Sequence, residues 1–308
     1  MGQRLPAQRH PSRPRGRRLF FGSFQMIDST RRGLVATGLA AVSAAGMAAQ
    51  PAQAAPALDL SDGKKRLLAF MRLRGSLDQA LVAGCISGRY YGVVGAEVRP
   101  LYGVTASTFA RYRELPDGRF EGFTYEVAYF TDLETGKVMD RWANPYTGET
   151  VDVPHTFSKP ARVVIGEDLT IKAEPAIPGL QIRHATLSPL IIGQDLWWTE
   201  EVLTEAQIPG MAKPLNYSEL VTFQTSVAEL AANNTRRVTC RNAYTSVVNW
   251  RPWLKMGDAP GHLMGNGAGA WGVAMKDLPA AWLEATKARH PDVLADPGAK
   301  LEPLWRKA

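Results

Sequence analysis

The chain has 308 residues, 45% of them hydrophobic, with 36 basic and 29 acidic residues and a net charge of +7. That length and apolar content are ample for one large buried core or two smaller ones. Eight arginines and one acid, Asp28, lie within residues 1–54, so the 28 bases and 28 acids beyond them cancel and leave no basic field to attract nucleic acid.

Residues 1–25 are rich in Arg and Pro and lack an apolar period, which predicts disorder. The following Ser-Thr-Arg31-Arg32-Gly-Leu-Val resembles a twin-arginine export motif. An Ala/Gly-rich apolar run covers 34–49, and Ala52 and Ala54 then form an A-x-A cleavage site. That run is too short and small-sided for a stable membrane span. The expectation is a leader over 1–54, read by the twin-arginine export machinery, with translation starting at Met1 or Met26. A single β-rich domain over 55–308 would then be periplasmic or secreted.

Residues 61–73 open on an N-cap and carry Leu67, Leu68 and Met71 on one stripe, which predicts a short amphipathic helix. A second helical turn is read over 76–83, ending at Gly84. From Gly88 the texture changes to Tyr- and Val-rich strands punctuated by Gly and Pro, with a strong turn at Pro116-Asp-Gly118. The clearest signal is 120–155, read as three strands joined by turns at 132–136 and 144–148. Phe123, Tyr125, Val127 and Tyr129 share one face of its first strand, and Thr124 and Glu126 the other. A hairpin over 161–173, strands over 181–185 and 189–203, an alternating run from Tyr217 whose end could be helical, and a final long strand over 236–250 follow. The 250–261 stretch reads as a packed aromatic loop, 265–272 as a mobile Gly-rich loop, and 278–289 as an amphipathic helix ended by Pro291. The architecture expected is mainly β, an antiparallel meander of eight to ten strands closing into a lipocalin-like barrel or strongly bent sheet, with a few peripheral helices. A two-sheet sandwich is the alternative.

The segment Asp132-Leu-Glu-Thr-Gly-Lys-Val-Met-Asp-Arg-Trp142, the turn Asn144-Pro-Tyr-Thr-Gly-Glu149, the loop Trp250-Arg-Pro-Trp-Leu-Lys-Met-Gly257 and Asp277-Leu-Pro279 together resemble domain-of-unknown-function family 1838. The resemblance implies one β-rich unit over roughly residues 59–303. It brings no reaction and no catalytic set.

The two cysteines, Cys85 and Cys240, either form one disulfide across a long loop or are separate buried thiols. No two of His155, His184, His262 and His290 stand at a metal-binding spacing, and no nucleophile elbow, P-loop or dinucleotide fingerprint occurs, so no motif indicates a cofactor. His155 and His184 are the first candidates for acid/base work. Asp195 stands beside Trp197 and Trp198: inside a barrel a carboxylate among indoles could have a raised pKa, and the alternative is that the acids face water while one Trp packs in the core. Asp195 and Trp197 share one face of their strand, and Trp198 and Glu200 the other. Tyr125, Tyr129, Trp142, Trp197, Trp198 and Trp250 either fill a barrel core or line a pocket. Three functions follow. One is an exported barrel binding a small apolar or aromatic ligand. Another is an exported acid/base enzyme, of isomerase, lyase or hydrolase type, acting on such a ligand. The last is a structural envelope protein without a pocket.

Overall fold

Two long strands begin the sheet: β1 (Val82–Val94) and β2 (Glu97–Glu114) form a hairpin turning at Gly95, whose φ of +59° suits a residue without a side chain. The computed structural model describes residues 58–174, 180–207, 214–232 and 235–307. Arg31, Arg32, Ala52 and Ala54 therefore lie outside the described residues, as does the whole 1–54 leader. The described residues fall in one compact unit, Gln53–Ala308.

The strands that follow are β3 (Phe120–Thr131), β4 (Arg141–Ala143), β5 (Thr150–Asp152), β6 (Thr156–Phe157), β7 (Ala161–Ile165), β8 (Ile171–Ala173), β9 (Leu180–Thr186), β10 (Leu190–Ile192), β11 (Asp195–Ala206), β12 (Leu215–Ser226), β13 (Cys240–Val248) and β14 (His262–Val273). Their order is β11-β12-β13-β14-β1-β2-β3-β7-β8-β9, and β9 pairs again with β11. The ring therefore closes as a ten-strand antiparallel barrel. Closure removes the unpaired edges that an open sheet of this size would expose.

Alternation divides each strand between the two faces. On β3 the outward set is Phe123, Tyr125, Val127 and Tyr129. It is buried beneath three C-terminal helices, α3 (Ala280–Arg289), α4 (Pro291–Ala295) and α5 (Glu302–Trp305). The inward set of β3 includes Glu126, Ala128 and Phe130.

Helix α1 (Gly63–Arg74), capped by the Asp62 carboxylate, packs Leu67, Phe70 and Met71 against Tyr112, Trp198, Phe223 and Trp271 at one end of the barrel, and the short α2 (Val227–Ala231) follows β12. The other end is filled by Tyr102, Phe130, Trp142, Trp250 and Trp253. Burying a side chain of this size stabilises the fold by about 1.5–3 kcal/mol, so each plug is a substantial core in its own right.

Four expectations are corrected. The second helical turn is absent, because β1 already starts at Val82. The 120–155 meander contributes only β3 to the barrel wall proper, with β6 pairing beside it, while β4 and β5 form a separate two-stranded sheet. The single strand read over 189–203 is a hairpin, β10 and β11, turning at Gly193 with φ +62°. The strand over 236–250 is not the last one, since the Gly-rich 265–272 stretch is part of β14, a barrel stave paired on both sides. Alternating glycines there are a packing device. A Cβ on Gly265 would lie 2.9 Å from the Tyr90 ring and 3.0 Å from the Tyr244 ring. Gly265 thus makes room for both aromatic rings within the barrel.

Candidate functional site: a polar cavity inside the barrel

Between the two aromatic plugs lies a cavity of about 360 Å³. It exists because the middle of the wall carries small side chains. Gly84, Ala106 and Ala128 line it, with Ala106 opposite Ala128 in the β2–β3 register. Val104, Val221 and Trp271 supply apolar wall, and Glu126, Asn242, Tyr244, Tyr217, Glu219, Tyr90 and Arg251 supply polar groups. Such a mixture, mostly apolar with a few convergent polar groups, is the usual composition of a small-molecule site.

Register explains why those polar groups meet. Glu219 faces Ser246, which faces Gly265, which faces Tyr90. Tyr244 lies one step along on the same inner face. The result is a hydrogen-bonded chain across four staves. Arg251 donates to the Tyr90 hydroxyl at 3.1 Å, and Tyr90 and Tyr244 share a hydrogen bond at 2.8 Å. Tyr244 donates to Ser246 Oγ at 2.6 Å, and its hydroxyl lies 3.3 Å from that of Tyr217. Tyr217 donates in turn to the Glu219 carboxylate. The Arg251 guanidinium also rests 5.1 Å from the Tyr90 ring centre and 5.3 Å from that of Phe130, in cation–π range.

Burial sets the electrostatics. Removal from water pushes the Glu219 carboxyl up to about 7. The Tyr217 hydrogen bond opposes that rise, and the charges of Glu126 and Glu200 add to it. Burial also raises Glu126, against the pull of Arg251 and a hydrogen bond from Thr108. The Tyr217 and Tyr244 phenols are driven well above their ordinary value by the same loss of solvent. Two carboxyl groups of reduced acidity therefore border one cavity together with a fixed cation.

A second buried cluster joins α1 to the barrel wall. Arg74 forms an ion pair with Glu200, whose other oxygen lies 2.9 Å from His184 Nε2. Burial disfavours the Glu200 charge, but Arg74 and His184 outweigh it and hold the carboxyl below its ordinary value.

The residues singled out from the sequence are dispersed. His184 joins Glu200 at the β9–β11 seam. His155 sits outside the barrel, accepting from the Phe130 amide at 3.3 Å and lying 3.4 Å from Asp140. Burial and then the nearby Arg289 lower its pKa, with Asp140 opposing. Asp195 is exposed at the start of β11, and its neighbour Trp197 is 38% exposed. Trp198 is fully buried against Phe70, ring centres 5.2 Å apart. Tyr125 donates to the Pro297 carbonyl at 2.8 Å, and the Tyr129 hydroxyl meets Thr286 at 3.1 Å, both beneath the outer helices. Trp142 stacks edge-on to Tyr102 at 5.5 Å, and Trp250 donates to the Pro260 carbonyl at 3.2 Å. None of these six aromatic residues lines the cavity.

Cys85 and Cys240 are buried and free. They sit on β1 and β13 with β14 between them, about 10 Å apart at two strand spacings. A disulfide needs Cα atoms within about 7 Å, so the paired alternative is ruled out by the register.

Sequence reasoning missed Tyr90, Glu126, Tyr217, Glu219, Tyr244 and Arg251 as a group. One signal was present. Glu219 interrupts the parity of Tyr217, Val221 and Phe223, and a carboxylate on an otherwise apolar face marks a functional interior. Among the described residues no group of three or more His, Cys, Asp or Glu side chains is placed to hold a metal ion. No helix among them is long and apolar enough to cross a membrane.

The fold and cavity define a closed antiparallel β-barrel with a mostly apolar interior that carries a chain of polar groups. The chain belongs to the family described as "Protein of unknown function (DUF1838)", whose profile matches residues 84–303. That span runs from the first barrel stave to the last helix and includes every residue of the polar chain. No curated protein and no solved structure matches the chain.

Proposed function

We propose that the protein binds a small, largely apolar or aromatic ligand within the barrel. The observation that carries this reading is the cavity of about 360 Å³ between two packed aromatic plugs, with small residues at its waist and a few polar groups on its wall. An interior filled by its own side chains would be expected of a purely structural envelope protein, so the open interior counts against that reading. The test is Ala106→Trp, which puts an indole into the waist. Titration of the full chain with a naphthalene probe, followed by intrinsic tryptophan fluorescence, should show saturable binding that this substitution abolishes while the circular dichroism spectrum is kept. Equal binding by the variant would move the ligand elsewhere.

A second reading is supported by Glu219. A carboxyl titrating near 7, hydrogen-bonded to Tyr217 and bordering the cavity, suits general acid/base chemistry at neutral pH. On this reading the barrel is an enzyme acting on its ligand by proton transfer. Glu219→Gln should then abolish turnover and leave binding intact.

We also propose export. The motif at Arg31 and Arg32 and the Ala52–Ala54 cleavage pattern support delivery by the twin-arginine machinery to the periplasm or medium. Replacing both arginines by lysine should retain the precursor in the cytoplasm. Unchanged delivery of the double variant would count against that route.

A further inference from the structure

The polar groups at the cavity's upper end are not equivalent. Arg251 is a permanent cation set into the wall by the turn that follows β13. A guanidinium offers five N–H donors in a fixed plane. The protein acceptor it engages here is one tyrosine hydroxyl, and its guanidinium carbon lies over the Tyr90 and Phe130 rings. Of the two carboxyl groups on the cavity wall, neither Glu126 nor Glu219 lies within ion-pair distance of it. The contrast with Arg74 is direct, since that buried arginine has its own carboxylate, Glu200. A half-buried charge without a contacting counter-ion is costly, and proteins retain one where something else supplies the opposite charge.

The remaining wall says what the rest of the ligand is like. On β1 the lining runs from Tyr90 beside Arg251 to Gly84 beside Trp271, six residues or about 20 Å of strand. Below the tyrosines it is chiefly Val104, Ala106, Ala128 and Val221, with Thr108, Glu126 and Asn242 as the polar members. One cation at one end of a long apolar slot fits one anionic group on an apolar body. A single planar guanidinium backed by a phenol matches a carboxylate better than a phosphate, whose greater charge and third terminal oxygen call for more donors than one arginine supplies.

Building on the ligand-binding reading above, we infer that the barrel selects a small aromatic or aliphatic carboxylic acid, its carboxylate paired with Arg251 and its apolar body lying along the slot toward Trp271. Tyr90 and Tyr244 then hold the guanidinium in place through the chain that ends on Ser246. Glu219 borders the slot in register with Tyr90, and Glu126 borders it in register with Gly84, so their protonated forms can donate to a carbonyl or hydroxyl that the ligand carries beside them.

The test compares two probes of one shape. 2-Naphthoate and 2-naphthamide are titrated into the full chain by calorimetry at pH 6, where Glu219 is mostly protonated. The wild type should bind naphthoate at least about tenfold more tightly than naphthamide. In Arg251→Met that preference should vanish while naphthamide affinity is kept, which also reports an intact cavity. Arg251→Lys should restore part of the preference. Equal affinity for the two probes in the wild type, or an unchanged preference in Arg251→Met, would overturn the assignment and leave the binding reading standing. Binding of neither probe would sink both.

Discussion

His184 on β9 and Glu200 on β11 meet across the seam that closes the barrel, with Nε2 and Oε2 2.9 Å apart, and Arg74 from α1 takes the other carboxylate oxygen. One carboxylate thus ties together the last stave, the first helix and the ring closure. Removing it leaves Arg74 buried and unpaired. Glu200→Ala should lower unfolding stability by about 3–5 kcal/mol, read from urea denaturation. The double change Arg74→Met with Glu200→Leu should recover most of that loss. A cost below about 1 kcal/mol for the single variant would show that the triad does not hold the seam.

The same geometry bears on His184, one of the histidines the sequence put forward for acid/base work. Its ring nitrogen is committed to Glu200 at the seam. His184→Ala should cost about 1–3 kcal/mol by losing a charge-assisted hydrogen bond, with probe affinity in the cavity unchanged. Loss of probe binding with unchanged stability would return His184 to the site.

His155 makes a parallel case on the outer wall, where it accepts from the Phe130 amide and packs 5.4 Å from the Tyr129 ring. His155→Ala leaves that amide without its partner, so a loss of about 1–3 kcal/mol with normal cavity binding is expected. Normal stability with impaired binding would contradict this placement.

Glu219 gives the protein a defined pH response. The unfolded chain releases this proton near 4.5 and the folded protein near 7. Between those values the native state holds more protons than the unfolded one, so this group's contribution falls as pH rises. Tyr217 from its own strand, Tyr244 from the neighbouring stave, Glu126 and Glu200 from the wall, and Arg74 from α1 all act on it. Glu219→Gln does not ionise. Relative to wild type the variant should gain up to roughly 3 kcal/mol on going from pH 4 to pH 8. A difference between the two proteins that does not change with pH would rule out a buried, titrating Glu219.

Gly84 tests the packing of the cavity floor. A Cβ there would fall 1.9 Å from the Trp271 ring. Gly84→Ala should therefore cost about 1–3 kcal/mol through overpacking and weaken binding at the floor as the indole shifts. Gly118 has open space around the Cβ position, but its φ of +83° strains any side chain, so Gly118→Ala should lose stability without touching probe affinity.

Much of the architecture is written in local alternation. The parity of Phe123, Tyr125, Val127 and Tyr129, and of Trp198 with Glu200, is as the sequence indicates. What alternation cannot state is which parity faces inward, because the outer wall is also buried where helices cover it. Tyr125 and Tyr129 lie under α3–α5 for that reason, and the cavity took the opposite parity with Glu126. Composition also misled at β14, where glycine suggested mobility but serves close packing against Tyr90 and Tyr244. The polar chain joins residues 90, 217, 244 and 251, a separation no local pattern can bridge.

Binding of a ligand inside the barrel is open to direct structural test. A crystal structure of the full chain grown with 2-naphthoate tests it most directly. Density for the naphthalene is expected between Ala106, Val221 and Trp271, with the carboxylate on Arg251. A probe seated only on the outer surface, with the interior closed by rearranged side chains, would contradict it.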